Sequence, residues 1–165
     1  MSFAAAFARI ALLASVLVAT LVLNTAPVAA AETSSGSQAN HVLDVALHQL
    51  GDPWKHFAKG PNRFDCVGFV FFSYNQNGLK DRIGGYRGVK SYFSWFKSRG
   101  LVTQDMSRAQ PGDLIVWGRY EHIGIYMGNG MAVSALINPY GVSKHKVKGY
   151  IGMGVKGFLR VNIDR

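Results

Sequence analysis

The chain has 165 residues, a formal net charge of +9 and a single cysteine. With an amino-terminal leader set aside, that length holds one core rather than two, and one cysteine excludes an internal disulfide. The basic balance draws the molecule toward polyanions such as anionic cell-wall polymers, acidic lipids or nucleic acid, which selects a class of surface and not a substrate.

Residues 1–31 have the three-part pattern of a secretory signal peptide. Arg9 is their only positive side chain, Ile10 to Leu23 is nearly all apolar, and Asn24 and Pro27 break the run. Small residues from Val28 to Ala31 place cleavage after Ala30 or Ala31. The apolar run is short for a membrane span, and no cysteine near the cleavage site offers a lipid attachment point. About 134 residues then remain, with no second apolar run of spanning length. The expectation is a soluble protein outside the cytoplasm, secreted or held at the cell envelope.

Residues 32–40 are Ser-rich with few apolar side chains and read as a flexible linker, leaving 41–165 as the domain. His41 to Leu50 places Val42, Val45, Ala46 and Gln49 on one side, an amphipathic helix stopped at Gly51. His41 and His48 in it lack the spacing of a metal pair and read as surface groups. Gly51 to Arg63 is a loop rich in Gly, Pro and Lys, with Trp54 as its aromatic anchor. A helix from Cys66 to about Gln76 follows, with Val67, Val70, Phe71 and Tyr74 on one face and Asn77-Gly78 as its terminator. Asp81 to Gly88 is a Gly- and Arg-rich loop. Val89 to Ser98 is a third helix, its Val89, Tyr92, Phe93 and Phe96 forming a core stripe.

Beyond the Pro111-Gly112 turn the texture changes to strands. Leu114 to Trp117 is a short apolar strand. His122 to Met127 alternates, with Ile123, Ile125 and Met127 facing one way and His122, Gly124 and Tyr126 the other. Asn129-Gly130 marks a hairpin. Met131 to Ile137, Val142 to Lys148 and Val155 to Ile163 read as the remaining strands. Helices first and antiparallel strands second define an α+β fold class.

The residues that carry chemistry converge on Cys66. With Asp65 as N-cap, Cys66 is the first helical residue, where the positive end of the helix dipole favours thiolate. A lone free cysteine is also commonly a small core hydrophobe, so a base within reach has to decide between the two readings. His122 is the best candidate, opening a strand beside Gly124, whose missing side chain leaves room for a substrate or another helix. Lys144, Lys146 and Lys148 alternate along a later strand as a solvated edge and put His145 on the opposite face. No metal spacing, calcium loop or phosphate-binding glycine loop occurs, so neither metal nor cofactor is expected.

Four stretches carry a resemblance. Leu50-Gly51-Asp52-Pro53-Trp54, Phe64-Asp65-Cys66-Val67-Gly68-Phe69-Val70, Pro111-Gly112-Asp113-Leu114 and His122-Ile123-Gly124-Ile125-Tyr126-Met127-Gly128-Asn129-Gly130 occur in one order. Together they resemble the NlpC-type peptidoglycan peptidases, a bacterial branch of the papain-like cysteine peptidases. The resemblance implies a papain-like fold with amino-terminal helices packed on an antiparallel sheet. It implies that Cys66 attacks the scissile amide carbonyl and His122 moves the proton, with cell-wall stem peptides as substrate, usually cut next to D-glutamate. The Cys66 backbone N–H is the expected oxyanion donor, with Trp54 and Asp65 as further substrate or oxyanion contacts.

This chain departs from the family pattern at three places. Asp65-Cys66-Val67-Gly68 stands where Asp-Cys-Ser-Gly is usual, and Trp54 where a tyrosine commonly lies near the thiol. The third polar residue, often His, falls at Ser134. A hydroxyl can orient an imidazole but supplies no charge. A main-chain carbonyl, Asn138 or His145 could serve instead, and the strand register that would choose among them is left open.

The expected activity is hydrolysis of peptidoglycan stem peptides by an exported, monomeric cysteine endopeptidase. Its partners would be peptidoglycan and anionic wall polymers, reached through the basic surface, and not nucleic acid. The alternative is a catalytically weak or inactive wall-binding module of the same fold. A nucleic-acid binder has charge but no motif behind it.

Overall fold

A computed structural model of the chain describes residues 37–149 and 152–165. The signal peptide expected over 1–31 and most of the linker lie outside the described residues. The helices are α1 (Gln38–His48), α2 (Cys66–Asn75) and α3 (Val89–Lys97), with a short 3-10 turn at Lys80–Ile83 and another at Met106–Arg108. The strands are β1 (Val102–Thr103), β2 (Leu114–Trp117), β3 (His122–Gly128), β4 (Met131–Leu136), β5 (Gly141–Lys146) and β6 (Val155–Leu159). They form one antiparallel sheet in the order β1-β6-β2-β3-β4-β5, giving the expected α+β architecture.

Local chemistry sets where the helices start. The first helix begins at Gln38, inside the stretch read as linker, because the Ser37 hydroxyl accepts the Asn40 N–H and caps it. From there Ala39, Val42 and Ala46 form the buried stripe. The second helix starts where expected, with Asp65 as N-cap accepting the Gly68 N–H at 2.6 Å. Its fully buried residues are Phe69, Val70, Ser73 and Tyr74, while Val67 is only partly buried beside the core. It packs against α1 on one side and against β3 and β4 on the other.

Both faces of the sheet are covered. Leu114, Val116, Ile123, Ile125, Val133 and Ala135 join the main core with the helices. Ile115, Trp117, Tyr126, Ala132, Val147 and Phe158 form a second, smaller core. The expected open face of β3 is therefore closed, with His122 at 7% and Tyr126 at 5% exposure. The second core has no local sequence signal, because its members come from four separate strands and the segment after β5. The edge expectation holds: β5 ends the sheet, Lys144 and Lys146 are exposed, and His145 points inward at 2% exposure.

Two further ties position the pieces. The Tyr74 hydroxyl donates to the Gly112 carbonyl, pinning α2 to the turn that precedes β2. Buried Asp113 accepts the N–H groups of Gln110 and Val161 and pairs with Arg165, so the carboxyl-terminal segment is fastened to the same turn. Pro111-Gly112-Asp113 is thus a structural junction.

Candidate active site

The site is built around the start of α2. The loop before it lies directly on the helix, so close that a Cβ on Gly68 would collide with the Ala58 carbonyl. Glycine is therefore required at the second position after the cysteine. Phe57 takes a left-handed backbone conformation (φ 61°) and its N–H donates to Asp65 Oδ2 at 2.9 Å. The Asp65 N–H in turn donates to the Ala58 carbonyl at 2.9 Å. Both carboxylate oxygens of Asp65 thus hold backbone, one the loop and one the helix. With both oxygens accepting backbone N–H groups, Asp65 serves to hold the loop and the helix head together.

Cys66 stands half-buried at the first helical position, its sulfur within reach of the backbone N–H groups of Cys66, Val67 and Ile123. These donors favour thiolate, as the helix-end argument expects. Burial and the neighbouring Asp65 carboxylate oppose them and win, pushing the thiol up to about 11. The helix end alone does not offset the burial of the sulfur. The depth at which the packed loop and strand bury the sulfur decides the balance. The contact with Ile123 also places the thiol at the head of β3, one residue along from His122.

His122 is engaged from the far side. Its Nε2 lies 2.8 Å from Ser134 Oγ, and Ser134 Oγ lies 2.8 Å from His145 Nε2. His145 Nδ1 is 3.0 Å from the Lys146 carbonyl oxygen. Three strands thus contribute one continuous polar line across the inner face. Trp117 flanks it, its ring centroid 5.5 Å from that of His122 and 5.7 Å from that of His145. Gly124 leaves the space that Ser134 and Trp117 fill, so its missing side chain makes room for this line and not for a substrate or helix. Burial, followed by the nearby His145, pushes His122 down to about 4. Burial likewise lowers His145, opposed by the Lys146 carbonyl. Burial thus disfavours the charged form of both the thiol and the imidazole.

Of the expected residues, Cys66, His122 and Ser134 are brought to one region, and His145 joins them. Asn138 sits in the exposed β4–β5 turn and takes no part. Trp54 is half-buried against the core, bridged to Phe64 and stacked on His56 at 5.9 Å between centroids. Tyr86 was missed. It is exposed, lies near enough to Asp65 and Cys66 for their charges to raise its pKa after burial does, and carries the Lys59 Nζ 3.9 Å above its ring. Its loop has no periodicity to reveal it; a tyrosine set among Gly84, Gly85 and Gly88 was the one available signal.

A thiol at a helix head, a buried imidazole at the head of the strand it touches and a sheet packed on that helix define a papain-like α+β fold. The NlpC/P60 family model matches residues 51–153, and the chain belongs to the NlpC/P60 family. It is 30% identical over 131 residues to a probable endopeptidase p60 of Listeria grayi, covering 78% of this chain and 24% of that one. It is 28% identical over 124 residues to a probable endopeptidase of Corynebacterium glutamicum (strain R), covering 74% and 54%. The chain spans less than two thirds of the length of either relative. Among solved structures, the NlpC/p60 domain of peptidoglycan hydrolase SagA aligns with a TM-score of 0.59 at 26% identity, over 74% of this chain and 98% of that one. NlpC2 from Trichomonas vaginalis aligns with a TM-score of 0.63 at 23% identity, over 79% and 49%, a likeness of fold.

Proposed function

We propose that this chain is an exported cysteine endopeptidase that hydrolyses peptide bonds in peptidoglycan stem peptides. The observation that carries the reading is His122 held by Ser134 at 2.8 Å, one residue from the backbone N–H that contacts the Cys66 sulfur. His122 then accepts the Cys66 proton as the sulfur attacks the scissile carbonyl carbon. The oxygen that becomes negative is met by the Cys66 backbone N–H, with Trp54 as a further donor from the preceding loop. His122 returns its proton to the departing amine, leaving a thioester. Water, deprotonated by His122, opens the thioester and regenerates the thiol. His122 acts as a general base, taking the thiol proton as the carbon–sulfur bond forms. Export rests on the leader pattern of residues 1–31, and docking to anionic wall polymers on the basic balance of the chain.

The test is mass spectrometry of purified muropeptides incubated with the mature protein and with Cys66→Ala. Release of a cleaved stem peptide by the first and not the second supports the reading. If neither releases one while both still bind the wall, the peptidase reading fails. A second reading, a wall-binding module with little activity, is favoured by the burial that holds Cys66 protonated. It expects the wild type and Cys66→Ala to bind the wall alike and neither to release a stem peptide.

A further inference from the structure

The line of side chains behind His122 has a direction, and its far end sets it. A carbonyl oxygen can only accept, so the contact between the Lys146 oxygen and His145 Nδ1 puts the His145 proton on Nδ1. A neutral His145 then presents a bare lone pair at Nε2, and the Ser134 hydroxyl must donate its one proton to it. The Ser134 oxygen is left to accept, so the proton of neutral His122 sits on Nε2. Nδ1 of His122 is left with its lone pair available. A base for a thiol needs that tautomer, since an imidazole with its proton on the reacting nitrogen cannot accept another.

We infer that Ser134 and His145 are positioning residues that fix the tautomer and ring orientation of His122, with the Lys146 main-chain carbonyl as the anchoring acceptor. This rests on the reading of Cys66 and His122 as nucleophile and base. Three features of the fold support it independently of that reading. Ser134 is fully buried and His145 nearly so, which keeps water from competing for the same lone pairs. Gly124 clears the volume in which Ser134 Oγ meets both rings, and Trp117 walls both. The β4–β5 register puts Ser134 and His145 on one face, with Ala132 opposite His145 and Ser143 opposite Ser134. A single serine thus borrows its polarity from a ring on the next strand and so stands in for a ring of its own.

The experiment compares full-length mature protein with Ser134→Ala, His145→Leu and His145→Gln, the last placing an amide oxygen near the Nε2 position. Nitrogen-15 NMR of the imidazoles, with His122 assigned by its loss in His122→Gln, reads the tautomer directly. In the wild type His122 should be protonated at Nε2 and bare at Nδ1. Ser134→Ala and His145→Leu should give mixed tautomers, and His145→Gln should restore the wild-type pattern. On muropeptides, kcat should fall on the order of 10- to 100-fold in the first two variants with little change in KM, the usual effect of removing a group that orients a functional imidazole. An unchanged His122 tautomer in folded Ser134→Ala, or no recovery in His145→Gln, overturns the inference. If His145→Leu does not fold, Ser134→Ala and His145→Gln decide. If the wild type cleaves no muropeptide, the peptidase reading fails, and the NMR result alone judges the relay.

Discussion

Gly124 and Ser134 face each other across β3 and β4 with no space between them: a Cβ at position 124 would come within 2.7 Å of the Ser134 Cβ. The same atom would meet the Val133 carbonyl at 2.9 Å and the Trp117 ring at 3.3 Å. Backbone cannot move aside cheaply. Gly124→Ala should therefore destabilise the fold by about 1–3 kcal/mol, as overpacking does, and displace Ser134 from His122. Denaturant unfolding reads the first effect and muropeptide hydrolysis the second.

The loop over α2 makes a parallel demand. Gly68→Ala pushes a methyl into the Ala58 carbonyl, and the loop must lift from the helix head. A loss of about 1–3 kcal/mol is expected from the forced backbone shift, with faster proteolysis within residues 55–63. A Gly68→Ala variant as stable and as protease-resistant as the wild type would contradict this account of the motif.

Asp65 combines two effects that a pair of substitutions separates. Asp65→Ala removes the cap and the loop anchor, and should cost about 1 kcal/mol or somewhat more. Asp65→Asn keeps an oxygen for the Gly68 N–H but removes the charge that raises the Cys66 pKa. The thiol of Asp65→Asn should titrate below that of the wild type. The pH dependence of Cys66 alkylation measures it, and an unchanged or raised midpoint would refute the assigned cause.

Acid should weaken the fold through His122. Its folded pKa is pushed down to about 4 from an ordinary 6.5, so the unfolded chain binds the extra proton first. Stability conferred by keeping this ring neutral is whole above about pH 6.5 and is lost as the pH falls toward 4. The loss is on the order of 3 kcal/mol over that window. Unfolding in urea at pH 7 and pH 4 measures it. In His122→Gln the difference between the two pH values should shrink.

Much of this fold is legible in the amino-acid sequence. Asp65 before an apolar run announces a capped helix, and the alternation from His122 to Met127 separates a core face from a polar one. What could not be read is what covers the polar face, because burial there depends on Val147, Val155 and Phe158 arriving from distant parts of the chain. The partner of His122 was hidden for a related reason. Ile125 pairs with Val133, yet Gly128 pairs with Met131 across an irregularity. Side chains alternate with a period of two, so a slip of one residue would have turned Ser134 toward the helices. The thiol was misjudged in magnitude: a helix dipole is visible in sequence, whereas the depth of a sulfur is not.

The polar line that starts at His122 ends on β5, the border strand of the sheet. Border strands open more readily than central ones where a single neighbour holds their ladder, although on β5 the Val142 N–H and carbonyl are also bonded to Asp52 and Gly51. In the proposed relay the tautomer of His122 is thereby tied to the persistence of the β4–β5 ladder. Each local opening of that border breaks the line at His145 and frees the imidazole to exchange its proton between nitrogens. If the relay holds, the rate at which amides of β5 exchange with deuterium in the native protein is also a clock for how often His122 is released from Ser134.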